Sequence, residues 1–234
     1  INSVSLSTGT SKNQTYVSVS ATNSNGILPN NKYERYNVSG RNTASFLNDK
    51  LVLDFGANLI FQNDRNMTAQ GRYFNPLTAL YLFPRGENFD AIRMYERYNE
   101  GLGIYEQYWP YETQSMELQN PYWTMNRIVR ENKKKRFMTN ASLKWNIIDG
   151  IDITGRLKYD KTDMRSTDKR YASTIEQFAS DYGGYYDNRK EYSSFYGDIM
   201  LNIAKSFNEN MWSVNANIGA SINDQREEQI GHGG

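Results

Sequence analysis

Residues Lys50–Asn63 read KLVLDFGANLIFQN, and this stretch decides the fold class of the chain. Its odd-numbered positions from Leu51 to Phe61 are all apolar, whereas the even-numbered positions between them are mostly polar or small. Because successive side chains of a strand point to opposite faces, the alternation predicts a β-strand with one apolar and one largely polar face. At about 3.3 Å per residue the strand reaches roughly 40 Å. That length is unusual in a globular domain and suits a tilted strand that crosses a bilayer.

The composition favours β structure and excludes several kinds of site. The 234 residues include 14% aromatic residues, and the formal net charge is +1. This nearly neutral charge argues against nucleic acid as a partner. The chain has no cysteine and one histidine, His232, which excludes disulfides, thiolate zinc sites, thiol catalysis, two-His metal sites and His-based triads. We therefore expect no catalytic residue, no metal and no other cofactor.

The same alternation recurs along the rest of the chain. Seven further strands are predicted at Asn2–Gly9, Gln14–Thr22, Tyr33–Leu47, Arg136–Ile147, Ile151–Asp163, Tyr192–Lys205 and Met211–Asn223. The connections alternate between short turns, such as 148–150 and 206–210, and long loops, of which the longest are predicted at 64–135 and 164–190. Outer-membrane barrels have this asymmetry, with short periplasmic turns and long extracellular loops. We predict an all-β fold, a transmembrane antiparallel up-and-down β-barrel segment of about eight strands.

Two other β architectures fit part of the pattern. Aromatic residues near the strand ends suit the interface girdles of a membrane barrel, or the core of a soluble β-sandwich that binds or hydrolyses carbohydrate. These residues are Tyr36, Phe46, Phe61, Trp145, Tyr159 and Trp212. A complete eight-stranded barrel is the other alternative. The alternation of turns and loops puts both termini on the extracellular side, which favours an internal segment of a larger barrel, and the N-terminus lacks the features of a signal peptide.

Several phrases of the sequence resemble the early barrel of SusC/RagA-type TonB-dependent transporters. They are Ser5–Thr10, Thr15–Ser20, Gly26–Ile27, Arg35–Asn42, Leu51–Asn58, Gln119–Arg127 and Arg136–Asp160, and they occur in the family's order. The resemblance implies a barrel of about 22 strands around a plug, in the bacterial outer membrane. It also implies import of glycans or peptides, energy from the TonB complex, and a SusD-like lipoprotein as an extracellular lid. We expect residues 1–234 to be part of one barrel domain, without the plug, the TonB-contacting segment and the closing strands.

The predicted loop 64–135 is the candidate for recognition of a ligand. Loops longer than about 12–15 residues are usually functional or disordered, and the aromatic content of this loop argues against disorder. Short helices are predicted within Asn75–Pro84 and Asn88–Gly101. The candidate substrate- or lid-contacting residues are Tyr73, Phe74, Tyr95, Tyr98, Trp109, Tyr122 and Trp123. The alternative is that these rings form the loop's own core.

Charged residues around this loop give weaker signals. The run Lys133–Arg136 is either a site for lipopolysaccharide phosphates or a solvated strand end. Seven carboxylates are scattered through the loop without the spacing of a glycosidase pair. They are Glu87, Asp90, Glu96, Glu100, Glu106, Glu112 and Glu117. We therefore expect a binding and transport role for the segment, and no enzymatic one.

Overall fold

The computed structural model describes residues 1–71, 73–111, 118–175, 179–207 and 211–234. Its strands are β1 (Asn2–Gly9), β2 (Asn13–Asn25), β3 (Lys32–Phe46), β4 (Leu51–Arg65), β5 (Glu96–Asn99), β6 (Ile104–Gln107), β7 (Ile128–Ile148), β8 (Ile151–Arg170), β9 (Gly184–Phe207) and β10 (Trp212–Gly233). Between β4 and β7 lie helix α1 (Pro76–Leu82), a 3₁₀ helix (Phe89–Arg93) and helix α2 (Pro121–Arg127). No described helix is both long and apolar enough to cross a membrane.

Eight of the strands form one antiparallel sheet in the order β1-β2-β3-β4-β7-β8-β9-β10, and β5 pairs with β6 in a separate hairpin. Each long strand therefore pairs with the next long strand in the chain, which is the predicted meander. The short connection between β7 and β8 is the predicted Asp-Gly turn. Gly150 there has φ of 76°, and a Cβ on it would lie 2.3 Å from the carbonyl oxygen of Ala204 in β9. In the short turn between β9 and β10, residues 208–210 lie outside the described residues.

The strands on one side of the sheet are longer than the sequence predicts. The β7 strand begins at Ile128 and the β8 strand ends at Arg170, while β9 begins at Gly184. The connections predicted at 64–135 and 164–190 therefore run only over 66–127 and 171–183. The added strand ends carry charged or polar side chains on both faces, so they lack the alternation by which a strand is recognised in a sequence.

One face of the sheet carries an exposed apolar band. Cross-strand pairing joins Val4 to Val19, Val19 to Val38, Val38 to Leu59 and Leu59 to Phe137. The band consists of Val4, Leu6, Val17, Val19, Val38, Phe55, Leu59, Phe61, Phe137, Leu143, Trp145, Leu157, Ile199, Val214, Ile218 and Ile222, whose exposed fractions run from 38% to 77%. From Leu51 to Phe61 it extends roughly 33 Å along the strand, or about 25 Å in height at a tilt near 40°. That is the height of the lipid-facing band of an outer-membrane barrel.

Aromatic residues mark the edges of this band. Tyr36 and Phe61 are directly paired at its upper edge, the side of the long connections, and Trp145 pairs with Leu51 at its lower edge. The six aromatic residues predicted as girdle positions are all exposed on the band face, with exposed fractions between 36% and 69%. Their positions fit the interface girdles of a membrane barrel.

The opposite face of the sheet is polar and joined by cross-strand bonds. Arg41 of β3 donates to Asp54 of β4 at 2.8 Å, and Arg156 of β8 lies 3.0 Å from Asp198 of β9. Arg136 and Asp160 form a further ion pair between β7 and β8. Because polar groups are matched here and apolar groups are exposed on the other face, the sheet has the two surfaces of a barrel wall between lipid and a polar lumen.

Candidate functional site

The connections 66–127 and 171–183 pack together at one end of the sheet, and we call them the loop unit. Its centre holds the fully buried side chains of Ile92, Asn120 and Trp123. Ala79 and Ala179 are also buried there. Among the described residues of the sheet, by contrast, the buried apolar side chains are Ala44, Ile60 and, at the junction with the loop unit, Ile128. The compact core of this chain therefore lies mainly in the loop unit.

Both α-helices of the loop unit begin with an Asn-Pro pair. The side chain of Asn75 accepts a hydrogen bond from the N–H of Leu77 at 3.1 Å, and that of Asn120 accepts from Tyr122 at 2.9 Å. Asparagine is a preferred N-cap, and proline is favoured directly after it because the first N–H of a helix has no intrahelical partner. These pairs fix where α1 and α2 start.

Asn120 also holds the rest of the loop unit together. Its side-chain amide donates to the backbone oxygens of Ile92 at 2.8 Å and Tyr108 at 3.0 Å. Its backbone N–H donates to Gln107 Oε1 at 2.9 Å. One fully buried side chain thus joins the 3₁₀ helix, the segment after β6 and the start of α2.

The second connection is attached to this core through side chains. The indole N–H of Trp123 donates to Thr174 Oγ1 at 3.2 Å. The backbone N–H of Gln107 donates to Ser173 Oγ at 2.9 Å, and its side chain donates to the carbonyl of Ser173 at 3.3 Å. The two connections therefore form one packed unit.

Arg127, at the end of α2, forms the strongest charged contact of the loop unit. Its guanidinium donates to both carboxylate oxygens of Glu96, at 2.6 and 2.8 Å. The same guanidinium lies over the rings of Tyr171, at 4.9 Å, and Tyr105, at 5.7 Å. The hydrogen bond to Glu96 raises the pKa of Arg127 against the lowering effect of burial. This contact fixes the β5–β6 hairpin to α2.

The seven predicted contact residues differ in how exposed they are. Trp123 is 0% exposed, so its ring packs inside the loop unit and does not reach a ligand. The prediction that Trp123 contacts a substrate or a lid is therefore wrong. Phe74 is half-buried, with the guanidinium groups of Arg130 and Arg170 at 4.9 and 4.8 Å from its ring. The ring of Phe74 therefore anchors the loop to β7 and β8.

Three other predicted residues are half-buried. The carbonyl of Tyr95 accepts from the N–H of Tyr108 at 2.8 Å, the ring of Trp109 packs on Tyr111 at 5.7 Å, and the ring of Tyr122 lies 6.4 Å from that of Phe89. Tyr73 and Tyr98 are exposed, with fractions of 44% and 57%. The exposed rings remain the better candidates for contact with a ligand.

Two exposed surfaces stand out on the loop unit. The first, which we call the tyrosine hairpin, contains Tyr98 of β5 and Tyr105 of β6, directly paired with ring centroids 5.2 Å apart. Leu102 at the tip of this hairpin and Tyr105 itself were missed as candidates, and both are exposed. A two-strand pattern around the Gly101–Gly103 turn was the signal that would have found them.

The second surface, which we call the α1 patch, is mainly apolar. It consists of Ile27, Leu80, Tyr81 and Leu82, all exposed. A cleft of about 180 Å³ beside it is lined by apolar residues of the β2–β3 connection, α1 and α2, among them Leu28 and Leu77. Contiguous exposed apolar surface of this kind is typical of sites where another protein binds.

Three of the scattered carboxylates of the loop unit have separate partners. Glu96 pairs with Arg127, Asp90 lies 3.2 Å from Arg93, and Glu87 accepts from the hydroxyl of Tyr111 at 3.4 Å. Glu112 and Glu117 lie outside the described residues. Within the described ranges no group of three or more His, Cys, Asp or Glu residues has a geometry that holds a metal ion.

Comparisons with known proteins place this fold. No protein-family profile matches the sequence, and no curated protein matches it. Among solved structures, the RagAB peptide importer in the closed-closed state matches 99% of this chain with a TM-score of 0.69 and 15% sequence identity. The siderophore receptor PiuA from Acinetobacter baumannii matches 97% with a TM-score of 0.56 and 11% identity. The ferric-catecholate import receptor Fiu from E. coli K12 matches 96% with a TM-score of 0.52 and 11% identity.

The chain has the fold of a TonB-dependent barrel wall. It spans 25% of the matched RagAB chain, 28% of that of PiuA and 32% of that of Fiu. The predicted fold class, a barrel segment with the architecture of the SusC/RagA type, is therefore confirmed at the level of the fold. The solved proteins are importers and receptors.

Proposed function

We propose that this chain is part of a TonB-dependent importer in the bacterial outer membrane that takes up peptides or glycans together with a SusD-like surface lipoprotein. In this role the sheet forms barrel wall between lipid and lumen, and the loop unit lies on the extracellular side. The TonB complex supplies energy through a plug in the remainder of the barrel. The chain itself contributes wall and ligand-contacting loops.

The exposed apolar band is the observation that carries this proposal. Sixteen large apolar side chains on one face of the sheet, with a directly paired row from Val4 through Val19, Val38 and Leu59 to Phe137, leave an apolar surface that water does not stabilise. A soluble sandwich would cover such a face with a second sheet. Here the buried core lies in the loop unit, and the apolar face of the eight-stranded sheet is exposed. Lipid is therefore the partner that fits this face.

The loop unit supports two different contacts. The tyrosine hairpin offers amphipathic rings, which stack on peptide side chains or sugar rings and keep a hydroxyl for hydrogen bonding. The α1 patch is mainly apolar and fits a protein surface such as that of a lid. Peptides are the favoured cargo because the RagAB structures, which match 99% of this chain, are those of a peptide importer.

A fractionation and binding experiment tests the proposal. The full-length protein that contains this chain is extracted from outer membranes in detergent, and the co-purifying polypeptides are identified by peptide mass mapping. Binding of an oligopeptide pool and of an oligosaccharide pool is then measured on the same preparation. We expect membrane association, a co-purified surface lipoprotein and saturable binding of peptides. A protein that stays soluble without detergent, or that binds neither pool, contradicts the proposal.

A further inference from the structure

Three cations lie directly opposite one another on adjacent strands of the sheet, and we call them the cationic row. Lys133 of β7 pairs with Arg165 of β8, which pairs in turn with Arg189 of β9. Directly paired residues in antiparallel strands have Cα atoms about 5 Å apart and side chains on the same face. Like charges in this arrangement destabilise a sheet. A bound anion would remove that repulsion.

The cationic row lies on the lipid-facing side of the sheet, just above the apolar band. Along β7 the side chains of Lys133, Lys135 and Phe137 point to the same face, and Phe137 is exposed in the band. Lys135 is paired with Phe61 at the upper edge of the band. Lys133 therefore lies roughly 13 Å along the strand from Phe137, or about 10 Å in height on a tilted strand. That height corresponds to the headgroup layer of a bilayer.

The row has fewer carboxylate contacts than positive charges. Arg165 contacts Asp187 at 2.7 Å, and the same carboxylate is 3.9 Å from Arg189. Among the residues that the structure describes, no carboxylate lies within ion-pair distance of Lys133 or Lys135. One carboxylate thus contacts two guanidinium groups, and the ammonium groups of Lys133 and Lys135 have no carboxylate partner among the described residues.

The neighbouring rows confine an anion to this position. The next row on the membrane side consists of directly paired residues, in the order Lys135, Asp163, Glu191 and Glu228. Glu191 forms an ion pair with Lys161 at 2.6 Å. On the other side of the row lie Glu131, Thr167, Asp187 and His232. Because carboxylates flank the row on both sides, favourable contact for an anion is restricted to the row itself and Lys135.

Two adjoining clefts give this surface the shape of a binding site. One, of about 650 Å³, is lined by Lys133, Lys135, Arg165 and Arg189 together with acidic and aliphatic residues. The other, of about 160 Å³, shares Lys133 and Arg165 and adds Lys169 and Tyr185. The larger cleft has the volume of a small-molecule site. Its cations and apolar stems match a ligand that is both phosphorylated and partly apolar.

We propose that the cationic row binds a phosphate group in the headgroup of an outer-leaflet lipid. The guanidinium groups of Arg165 and Arg189 would donate charge-assisted hydrogen bonds to phosphate oxygens, and Lys133 and Lys135 would add positive charge. This proposal rests on the proposed membrane location of the protein. It adds a lipid site that import itself does not require.

A charge-matched pair of variants tests the site. The double variant Lys133→Gln/Arg189→Gln removes two exposed cations and leaves the contact between Arg165 and Asp187 in place. The control Lys50→Gln/Lys205→Gln removes two exposed cations at the opposite end of the sheet. Native mass spectrometry of the full-length protein in detergent measures binding of diphosphoryl lipid A, of lipid A without its phosphates, and of inorganic phosphate. We expect the first variant to weaken binding of diphosphoryl lipid A about tenfold and the control less than about twofold.

The outcomes separate this proposal from the proposed function. Equal binding of the phosphorylated and dephosphorylated lipids, equal losses in the two variants, or inorganic phosphate binding as tightly as the lipid each overturns the lipid-phosphate site. If any of these occurs while the protein still fractionates with outer membrane and binds peptides, the import proposal stands and this one falls. If the protein is not found in the outer membrane, both fall.

Discussion

Asn120 illustrates how one polar side chain organises the loop unit. It is 0% exposed, and its amide donates to the buried carbonyl of Ile92 and to the half-buried carbonyl of Tyr108. Buried carbonyls that lose their donors cost about 1–3 kcal/mol of stability. The side chain therefore decides whether the long connection is a folded element or a loose one.

We expect Asn120→Ala to destabilise the loop unit by about 2–3 kcal/mol, since it removes both donors and the N-cap of α2. Hydrogen exchange of the full-length protein in detergent is the measurement, and faster exchange is expected in 89–127 with no change in the sheet. The control Asn88→Ala removes the exposed cap of the 3₁₀ helix, which has a single bond to the N–H of Asp90 at 3.0 Å. If the two variants exchange alike, Asn120 is only a cap.

The sequence reveals some of these residue roles and conceals others. An Asn-Pro pair is typical of a helix start, and the helix α1 was predicted within Asn75–Pro84. The burial of Trp123 was not predicted, because a tryptophan beside a proline suits a ligand surface and a core equally well. Its indole N–H bonds to Thr174, which lies about fifty residues away in the sequence. Such contacts are set by the packing of the two connections and leave no local pattern.

At the scale of the element, alternation determines which face of a strand is apolar. It predicted eight long strands that pair in chain order, and the apolar face of β4 from Leu51 to Phe61. It failed where β7 to β9 rise above the apolar band, because there both faces meet polar surroundings and the period of two disappears. The strand ends were therefore placed too low, and the loops were predicted too long.

Charge placed on the apolar face of β9 should block membrane assembly. Ile199 is 57% exposed in the band, and a lysine there places an ammonium group in lipid at a cost of about 2–4 kcal/mol. The expected result for Ile199→Lys is a lower fraction of folded protein, measured by the gel shift between heated and unheated samples. Met200→Lys, on the polar face of the same strand, is the control and should assemble normally. An equal loss of folded protein in both variants would contradict the assignment of Ile199 to the apolar face and Met200 to the polar face.

The turn between β7 and β8 depends on a glycine. Gly150→Ala would place a Cβ 2.3 Å from the backbone of β9 in a left-handed conformation, so we expect a loss of about 1–3 kcal/mol. The thermal midpoint of the detergent-solubilised full-length protein measures it. In Gly40→Ala the nearest heavy atom to the added Cβ is the carbonyl oxygen of Tyr16, at an ordinary contact distance of 3.9 Å, so the thermal midpoint should move little. A larger shift for Gly40→Ala than for Gly150→Ala contradicts this account.

At the scale of the molecule, the two surfaces of the loop unit should act independently. The double variant Tyr98→Ala/Tyr105→Ala is expected to weaken peptide binding by roughly tenfold, because exposed aromatic contacts contribute about 0.5–1.5 kcal/mol each beyond their buried area. It should leave the co-purified lipoprotein unchanged. Tyr81→Glu/Leu82→Glu is expected to do the reverse, since it places charge in an apolar interface. Calorimetry with an oligopeptide and quantitative mass spectrometry of the purified complex are the two measurements.

If both variants had the same effect on peptide binding and on the co-purified lipoprotein, the two surfaces would not have separate roles. If both lose peptide and lipoprotein together, the surfaces form one site or the loop unit has unfolded. Hydrogen exchange of each variant distinguishes these cases, because an intact core keeps the protection around Trp123.

The strands differ in length across the sheet, from 13 residues in β2 to 24 in β9. The pairing register places Asn25, the last residue of β2, in the row of Asp187, three residues after the start of β9. It places Asn13, the first residue of β2, in the row of Ile199, eight residues before the end of β9. In register, most of the extra length of β9 therefore lies on the side of the short turns, and the upper edge rises by only about three residues, or roughly 10 Å along the strand.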